Sequence, residues 1–310
     1  MTAGDGGIVV ANAPVSYGAF EMTVGIDPHV PAGTSVLDEV AAAGYAGIDL
    51  GPVGYLGEGP ELGRRLRERG LGLAGAYLEL PYWDPMALDQ AWPQLEDVLD
   101  TFDAVGPIDG RPPPRPTLAA VGSETRHARP GRAAHDRSLG LDDEGWARFG
   151  EGLRRVVARS RARGYEPTYH PETGTYVEAP WEIDRVLEVS DIGLCLETGH
   201  LIVGGGDAVR AIAEWGARIN HVHLKDAHRA VVDGIIADEA PSSAIWSREA
   251  FAPLGDGDLD ADGVLAGLRA LGYEGWLVVE QDSYPKTPER FAQAAADQRA
   301  NRTFLAERGL

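Results

Sequence analysis

Short runs of β-branched and other apolar residues alternate with helical patterns along the whole chain, and this alternation limits the fold more than any other feature. Strands that are joined by helices usually lie parallel in one sheet, with the helices packed against it. We predict eight strands, at 8–14, 47–51, 71–80, 117–122, 166–172, 192–197, 220–225 and 275–280. Helices are predicted between and after them, near 36–44, 60–69, 86–105, 142–164, 181–189, 207–216, 260–271 and 287–307.

The dipeptide Gly-Tyr recurs where three of these helices end, at Gly44-Tyr45, Gly164-Tyr165 and Gly272-Tyr273. Glycine just past a helix end can take the left-handed conformation that closes the helix, after which the chain enters the next strand. Eight such β/α units in 310 residues predict an α/β chain that forms a single (β/α)8 TIM barrel over residues 1–310. An open, doubly wound sheet of eight strands is the alternative.

Two long connections, 107–138 and 227–257, are expected over the active-site face of this barrel. The first begins with a proline-rich linker and continues into a basic loop, 123–138, which includes Arg126, Arg129, Arg132 and Arg137. This loop would either close over a polar or anionic substrate or remain a mobile, solvated loop. The second connection contains Trp246 and Phe251, which would cover the site or pack on its rim.

The charge balance limits the classes of partner. With 48 acidic against 28 basic residues, the net charge of -20 should repel phosphate backbones and anionic membrane surfaces, so we expect neither nucleic acid nor a membrane as partner. A single cysteine, a first segment unlike a signal peptide and the lack of about 18 consecutive apolar residues predict a cytoplasmic protein. A homo-oligomer stays open, because helices of such barrels can pair.

Histidines and carboxylates lie at the ends of the last four predicted strands. Because side chains alternate across a strand, residues two apart share a face. Carboxylates that crowd at one end of a barrel need a compensating charge, and one divalent ion would supply it, Mn²⁺, Co²⁺ or Mg²⁺, with Zn²⁺ as a further option. The alternative is that each residue binds only backbone or water. The residues that would share inward faces are His170 with Glu172, Cys195 with Glu197, His221 with His223 and Lys225, and Val278 with Glu280.

Four motifs make the chain resemble the xylose-isomerase-like barrel superfamily, and inosose dehydratases and their relatives most of all. They are Asn12-Ala13-Pro14, Gly199-His200, the run 221–226 (His-Val-His-Leu-Lys-Asp) and the run 272–276 (Gly-Tyr-Glu-Gly-Trp). The resemblance implies a metal held by Glu172, Glu197, His223 and Glu280. It also implies that Glu172 and Glu280 form the acid and base pair, with Lys225 as a third catalytic group, and that His170, Glu178, His200, His221 and Arg229 contact the substrate.

Two positions depart from the family pattern. Inosose dehydratases usually have histidine where this chain has Glu172, and the glutamate there is typical of epimerases. The family sequence Asp-Thr-Gly-His is Glu197-Thr198-Gly199-His200 here, so the side chain at 197 is one methylene longer than the family aspartate. Both positions belong to the implied metal site, so they affect which substrate the chain would accept.

We therefore expect a metal-dependent sugar isomerase or epimerase. It would act on a keto-sugar or a cyclic keto-polyol by removing the proton from the carbon next to the carbonyl. An inosose-type dehydratase, a lyase, would use the same site and is the first alternative. A non-catalytic sugar-binding or partner subunit is the alternative from another class. The expected partner in all three cases is a small-molecule sugar or polyol.

Overall fold

The computed structural model describes residues 7–284, 287 and 289–310, and its sheet is a barrel of eight parallel strands. The third strand consists of two segments that only Ala74 separates. Its first segment pairs with β2 and its second with β4, while β1 pairs with β2 and β8, so the barrel closes. The strands are β1 (Ile8–Asn12), β2 (Gly47–Ile48), β3 (Gly72–Leu73 and Gly75–Leu80), β4 (Arg115–Ala120), β5 (Thr168–Tyr169), β6 (Gly193–Glu197), β7 (Ile219–Leu224) and β8 (Gly275–Val279).

The pairing of β1 with β8 confirms the predicted (β/α)8 barrel and rules out the open sheet. Ile8 lies opposite Gly275, and Asn12 lies opposite Val279. The largest difference from the predicted strands is at β5, which was expected over 166–172 but includes only Thr168–Tyr169. Pro171 follows closely and has no N–H to donate, and Glu172 N already donates to Val177 O in a turn that begins there.

The helices lie between the strands close to the predicted positions, and the left-handed helix ends are confirmed. Gly44 has φ 89° and Gly272 has φ 66°, a backbone region that favours glycine. Position 288 of the last predicted helix lies outside the described residues. The helices are α1 (Gly33–Ala43), α2 (Gly59–Glu68), α3 (Pro85–Val105), α4 (Glu124–His127), α5 (Asp143–Ala162), α6 (Pro180–Val189), α7 (Thr198–Val203), α8 (Ala208–Trp215), α9 (Arg229–Ala237), α10 (Ser243–Ser247), α11 (Ala261–Ala270) and α12 (Glu289–Ala306). Across the described ranges, no helix combines the length and the apolar character that a membrane span requires.

The connection 227–257 is more ordered than its sequence indicated, because it contains α9 and α10. A short antiparallel pair, Asp226–Ala227 with Phe251–Ala252, joins its two ends. The buried carboxylate of Asp226 stabilises this junction by accepting hydrogen bonds from backbone N–H groups on both sides of the connection. These donors are Ala227 at 2.8 Å, Gly255 at 2.9 Å, Gly257 at 3.1 Å and Leu259 at 2.9 Å.

The connection 107–138 divides between the two ends of the barrel. Its proline run lies at the amino ends of the strands, opposite to the candidate active-site face. Pro112 O accepts a hydrogen bond of 3.2 Å there from the indole of Trp276, near the start of β8. Only the part after β4, which includes the basic loop 123–138, extends from the carboxyl ends of the strands. The prediction that this connection lies over the active-site face is therefore correct for its second half alone. The first half lies at the opposite end of the barrel and leads into β4.

Apolar side chains of the described residues pack in one layer between the sheet and the helices, in a second cluster around the connection 227–257, and in a smaller layer inside the barrel. The inner layer contains Ala11, Ala13, Ala74, Trp276 and Val278. Trp276 and Val278 are on the face of β8 that also carries Glu280, so the inward orientation predicted for that strand is confirmed. The indole of Trp276 fills the lower end of the barrel, where glycines in β2 and β3 leave space for it.

We predict that Gly47→Ala destabilises the protein by about 1–3 kcal/mol, because the new methyl would meet the Trp276 ring at 2.5 Å and Gly72 O at 3.0 Å. Urea unfolding followed by circular dichroism measures the change. Gly234→Ala in α9 is the matched control, since nothing lies within 4 Å of its added methyl and alanine is the better helix former. Equal stability of the two variants would contradict this packing of the lower barrel.

Candidate active site at the carboxyl ends of the strands

A buried lysine lies among three carboxylates at the upper end of the barrel. The ammonium of Lys225, just after β7, is 2.8 Å from Asp282 Oδ1, 3.0 Å from Glu280 Oε2 and 3.6 Å from Glu197 Oε1. Burial by itself would lower the pKa of Lys225, but these carboxylates outweigh it and hold that pKa well above its usual value. Lys225 is therefore a permanent positive charge in this site.

The motif Thr198-Gly199 positions this lysine. Thr198 Oγ1 accepts a 2.8 Å hydrogen bond from Lys225 N and donates one of 2.8 Å to Lys225 O. A methyl group at Gly199 would meet the Lys225 side chain at 2.6 Å, so only glycine leaves room for its aliphatic stem. The ring of Phe251, from the connection 227–257, covers the ammonium at 4.9 Å from the ring centre.

His200 connects the lysine with Glu172. Its Nε2 is 3.1 Å from Lys225 Nζ and 3.1 Å from Glu172 Oε1, and its Nδ1 is 2.7 Å from Thr173 Oγ1. Burial holds the pKa of His200 well below its usual value, so the imidazole is neutral. An ammonium can only donate, which assigns Nε2 as the acceptor and the Nδ1–H as the donor to Thr173.

The surroundings shift the pKa values of two glutamates of the cluster in opposite directions. Burial raises the pKa of Glu172 well above its usual value, which favours the protonated acid. Burial acts on Glu280 in the same direction, but Lys225 and His223 outweigh it, so the pKa of Glu280 lies well below its usual value. The side chains of Glu172 and Glu280 are 16% and 11% exposed, whereas those of Lys225 and His223 are 1% exposed. The two glutamates are thus the groups of the cluster that a ligand at the barrel mouth reaches.

His223 lies between two carboxylates. Its Nδ1 is 3.3 Å from Glu280 Oε2, and its Nε2 is 3.4 Å from Asp49 Oδ2. Burial would lower its pKa, but Glu280, Asp49 and Glu197 raise the pKa to about 9. Neither ring nitrogen has a hydrogen bond of acceptable geometry within the described part of the chain.

The longer side chain at Glu197 is accommodated by bending back onto the helix that follows it. Glu197 is the N-cap of α7, and its Oε2 accepts a hydrogen bond from His200 N. Its other oxygen, Oε1, has no hydrogen-bond partner among the described residues. Burial raises the pKa of Glu197 to about 7.

The donor types fit a divalent ion, although the four implied ligands do not converge on one point. Two buried groups without partners are of the kind that an ion binds: Glu197 Oε1, and one ring nitrogen of His223 once the ring has lost its extra proton. Lys225 lies between Glu197 and Glu280 in this arrangement. Among the described residues, two compact sets of possible ligand atoms occur, His170 with Cys195 and His223, and Asp49 with His221 and His223.

Two predicted substrate contacts lie elsewhere. Glu178 is buried away from the lysine cluster, where its Oε2 is 3.3 Å from Arg126 Nη2 and its Oε1 accepts from Gly174 N at 3.0 Å. Arg126 comes from the basic loop 123–138 and also forms a two-point ion pair with Glu182, at 2.7 and 2.9 Å. Arg229 is exposed at the start of α9, and its backbone nitrogen donates to Asp258.

The remaining predicted site residues lie in the barrel interior. Two acids that were not predicted, Asp49 and Asp282, lie beside them. His170 packs edge-on against His223 at 5.0 Å between ring centres, and His221 packs against His223 at 5.1 Å. Asp49 follows β2 and Asp282 lies two residues after Glu280, so each continues the inward face of its strand. That alternation was the signal available for finding both acids.

Comparisons with known proteins agree with this architecture. Residues 37–306 match the family model described as xylose isomerase-like TIM barrel. An inosose dehydratase of Geobacillus kaustophilus is 28% identical over 263 residues, 84% of this chain and 83% of that protein. One of Lacticaseibacillus casei is 28% identical over 269 residues, 83% of this chain and 85% of that protein.

Solved structures share the fold at lower identity. A D-allulose 3-epimerase from Methylomonas sp. has a TM-score of 0.66 at 14% identity, and the match covers 98% of both chains. A probable 3-DHS dehydratase from Bacillus anthracis has a TM-score of 0.64 at 12% identity, and covers 96% of this chain and 98% of that chain. At these identities the likeness shows the fold alone.

We predict that Arg126→Met destabilises the protein by about 3–5 kcal/mol, because it leaves Glu178 and Glu182 buried without their cation. Chemical unfolding at neutral pH measures the loss. Arg129→Met, at an exposed position of the same loop, should change stability by no more than about 0.5 kcal/mol. If both variants unfold at the same urea concentration, the buried ion pair is not the contact that holds this loop.

Proposed function

Because the chain belongs to the xylose isomerase-like TIM-barrel family, we propose that it is an enzyme that dehydrates a cyclic keto-polyol of the inosose type. The observation that carries the proposal is the joined set Glu280, Lys225, His200 and Glu172, in which each contact is 3.0 to 3.1 Å long. It combines an ionised carboxylate, a fixed positive charge and a carboxyl group that favours its protonated form. Relatives that carry the name inosose dehydratase, over more than four-fifths of the chain, support the choice of substrate class.

Glu280 is the proposed base. It extends from the end of β8 towards the barrel mouth, and Lys225 stabilises its ionised form at 3.0 Å. The base removes the proton from the carbon next to the substrate carbonyl, and the electron pair of that C–H bond moves into the carbonyl as it becomes an enolate. The ammonium of Lys225 lies beside this reaction and stabilises the negative charge that develops.

Glu172 is the proposed acid. Its Oε1 is 3.1 Å from His200 Nε2, and His200 is fixed by Thr173, so the carboxyl group has a defined orientation. In a dehydration, the electron pair of the enolate returns and expels the hydroxyl group on the next carbon. Glu172 donates its proton to that oxygen, which leaves as water. The proton taken by Glu280 then returns to solvent, and Glu172 takes up a proton from solvent before the next turnover.

A divalent ion is part of the proposal. Glu172, Glu197, His223 and Glu280 would hold it, and its chemistry is to polarise the substrate carbonyl and so acidify the neighbouring C–H.

Epimerisation or isomerisation of a keto-sugar is the second candidate, and one observation favours it. Glu172 follows β5 and Glu280 follows β8, so the two carboxylates reach the site from different parts of the barrel rim. A proton removed by one carboxylate can then be replaced from the other side by the second, which inverts the carbon. Analysis of the product separates the activities, since dehydration releases water and epimerisation conserves the molecular mass.

We predict that Glu280→Gln lowers kcat by at least about 100-fold while leaving the fold intact, because glutamine cannot accept the proton. The assay incubates the purified protein with a panel of inososes and keto-sugars and identifies products by NMR and mass spectrometry. Glu274→Gln, at an exposed glutamate just before β8, is the control and should retain full activity. Unchanged turnover in Glu280→Gln would overturn the assignment, and sugar binding without any product in the wild type would favour a non-catalytic binding protein.

A further inference from the structure

Two amide side chains lie on the buried face of the last helix. Along α12, Ala294, Gln298, Asn301 and Leu305 are buried and follow helical spacing, so they belong to the face that packs on the barrel. Apolar residues are usual on such a face, because a buried amide is costly unless its groups are hydrogen-bonded. Gln298 is 0% and Asn301 is 1% exposed, so their amides need partners inside the protein.

These partners come from three other parts of the chain. Gln298 Oε1 accepts hydrogen bonds from Asn12 Nδ2 at 2.8 Å and from Asn301 Nδ2 at 3.2 Å. Gln281 Oε1 accepts from Gln298 Nε2 at 3.1 Å and from Asn301 Nδ2 at 3.4 Å. Asn301 Oδ1 accepts from Leu254 N at 2.8 Å. The four amide side chains thus form one amide network, which joins the end of β1 with the residues that follow β8 and α10.

Gln281 links this network to the candidate active site, because it lies between two acids of the lysine cluster. Glu280 and Asp282 follow the end of β8 and lie 3.0 and 2.8 Å from Lys225 Nζ. Side chains alternate along an extended segment, so Gln281 points the other way, towards α12. The amide network therefore holds this segment from the side opposite to the lysine.

The segment needs such support, because the regular pairing of β8 ends before it. Val279 is the last residue of the strand, and Glu280 N makes a further bond along the sheet, to Leu224 O at 3.1 Å. Beyond that point, Gln281 N donates to a side chain, Ser16 Oγ, at 3.1 Å. Two like charges that are two residues apart also repel each other, and this repulsion favours a rotation that turns one of them towards water. The bonds to Gln281 oppose that rotation.

Asn301 supports the other side of the lysine. Leu254 follows the short strand that contains Phe251, whose ring covers the ammonium of Lys225 at 4.9 Å from the ring centre. The 2.8 Å bond from Leu254 N to Asn301 Oδ1 fixes this segment against α12. One helix thus positions both the strand end that carries the carboxylates and the ring above the lysine.

We propose that Gln298 and Asn301 are positioning residues, and that the amide network holds Glu280 in the orientation from which it removes the proton. This inference rests on the proposed function, in which Glu280 is the base. The network lies between the sheet and α12, so it acts on the reaction through the orientation of Glu280. It also gives a role to Asn12, the first residue of the motif Asn-Ala-Pro.

Gln298→Met keeps the length of the side chain but removes its amide, and with it three hydrogen bonds. We expect kcat to fall at least about 10-fold and KM to change by less than about 3-fold, because the base is misplaced while the groups that hold the substrate remain. Tyr45→Phe is the matched control, since it removes the 2.8 Å bond from Tyr45 to the backbone oxygen of Gln298 and leaves the four amide side chains in place. Measured where both variants are folded, Tyr45→Phe should retain the kcat of the wild type.

A double variant separates positioning from structural support. If Gln298 acts through Glu280, Gln298→Met should lower the residual turnover of Glu280→Gln by less than about 2-fold, because the group that it positions is already gone. Independent effects would multiply instead. A further loss of about 10-fold in the double variant would therefore overturn the proposal.

Hydrogen–deuterium exchange followed by mass spectrometry tests the same contacts without substrate. Backbone amides of 280–283 should exchange at least about 5-fold faster in Gln298→Met than in the wild type, because the segment opens more often without its bonds to α12. Tyr45→Phe should exchange like the wild type in this segment. Gln281→Met, at a half-buried position, removes the acceptor of the same bonds and should give the same result, so it serves if Gln298→Met does not fold.

Unchanged exchange of 280–283 in Gln298→Met, or equal losses of kcat in Gln298→Met and Tyr45→Phe, would overturn the proposal. Its failure is distinguishable from that of the proposed function. If the wild type turns over no inosose or keto-sugar, the proposed function fails, and the exchange measurement still decides whether the amide network holds this segment.

Discussion

The buried ammonium of Lys225 is the charge on which the arrangement of the site depends. Asp282, Glu280 and Glu197 lie within 3.6 Å of it, and three carboxylates this close together would repel one another strongly in a low-dielectric interior. Thr198 holds the lysine backbone, Gly199 leaves space for its stem and Phe251 covers its charged end. The Thr-Gly motif at the start of α7 is thus explained by the positioning of a single side chain.

The same ammonium sets the ionisation of the groups that reach the mouth. It lies 3.0 Å from Glu280, whose pKa it lowers, whereas the more distant Glu172 has a pKa that burial raises. Environments that separate the pKa values of two carboxyl groups are how one site provides both an acid and a base at neutral pH. The chemistry that we propose follows from this asymmetry, and dehydration and epimerisation differ only in what happens after the proton has left.

The connections after β4 and β7 meet above this end of the barrel. Ser242 N donates to His127 O at 2.7 Å, and Arg132 Nη2 donates to Ile236 O at 2.6 Å, so the basic loop 123–138 packs on the segment that carries Phe251. Arg126 in this loop serves the buried pair with Glu182 and Glu178 and is not available to a substrate. The positive charge at the site comes instead from Lys225 and from His223, whose pKa the neighbouring carboxylates raise to about 9.

Periodicity in the sequence was sufficient to predict the strands and their inward faces, because alternation follows from the geometry of a β-strand. It placed His170, Glu197, His223 and Glu280 inside the barrel, where the structure has them. Contacts between distant segments could not be read in this way. Arg126 and Glu178 are 52 positions apart, and nothing in the local pattern of either indicates that they pair. The order within the connection 227–257 likewise depends on Asp226, whose hydrogen bonds reach residues up to 33 positions away.

The central claim is that this cluster removes a proton from the carbon next to a carbonyl. Incubation of the wild-type protein with inososes and keto-sugars in D₂O, followed by proton NMR, measures this step before any product is identified. The account predicts that the proton on that carbon is lost from the accepted substrate, either by exchange for deuterium or by dehydration, and that removal of divalent ions by a chelator slows this loss. A substrate that the protein binds and converts while the original proton stays on that carbon in both substrate and product would contradict the account.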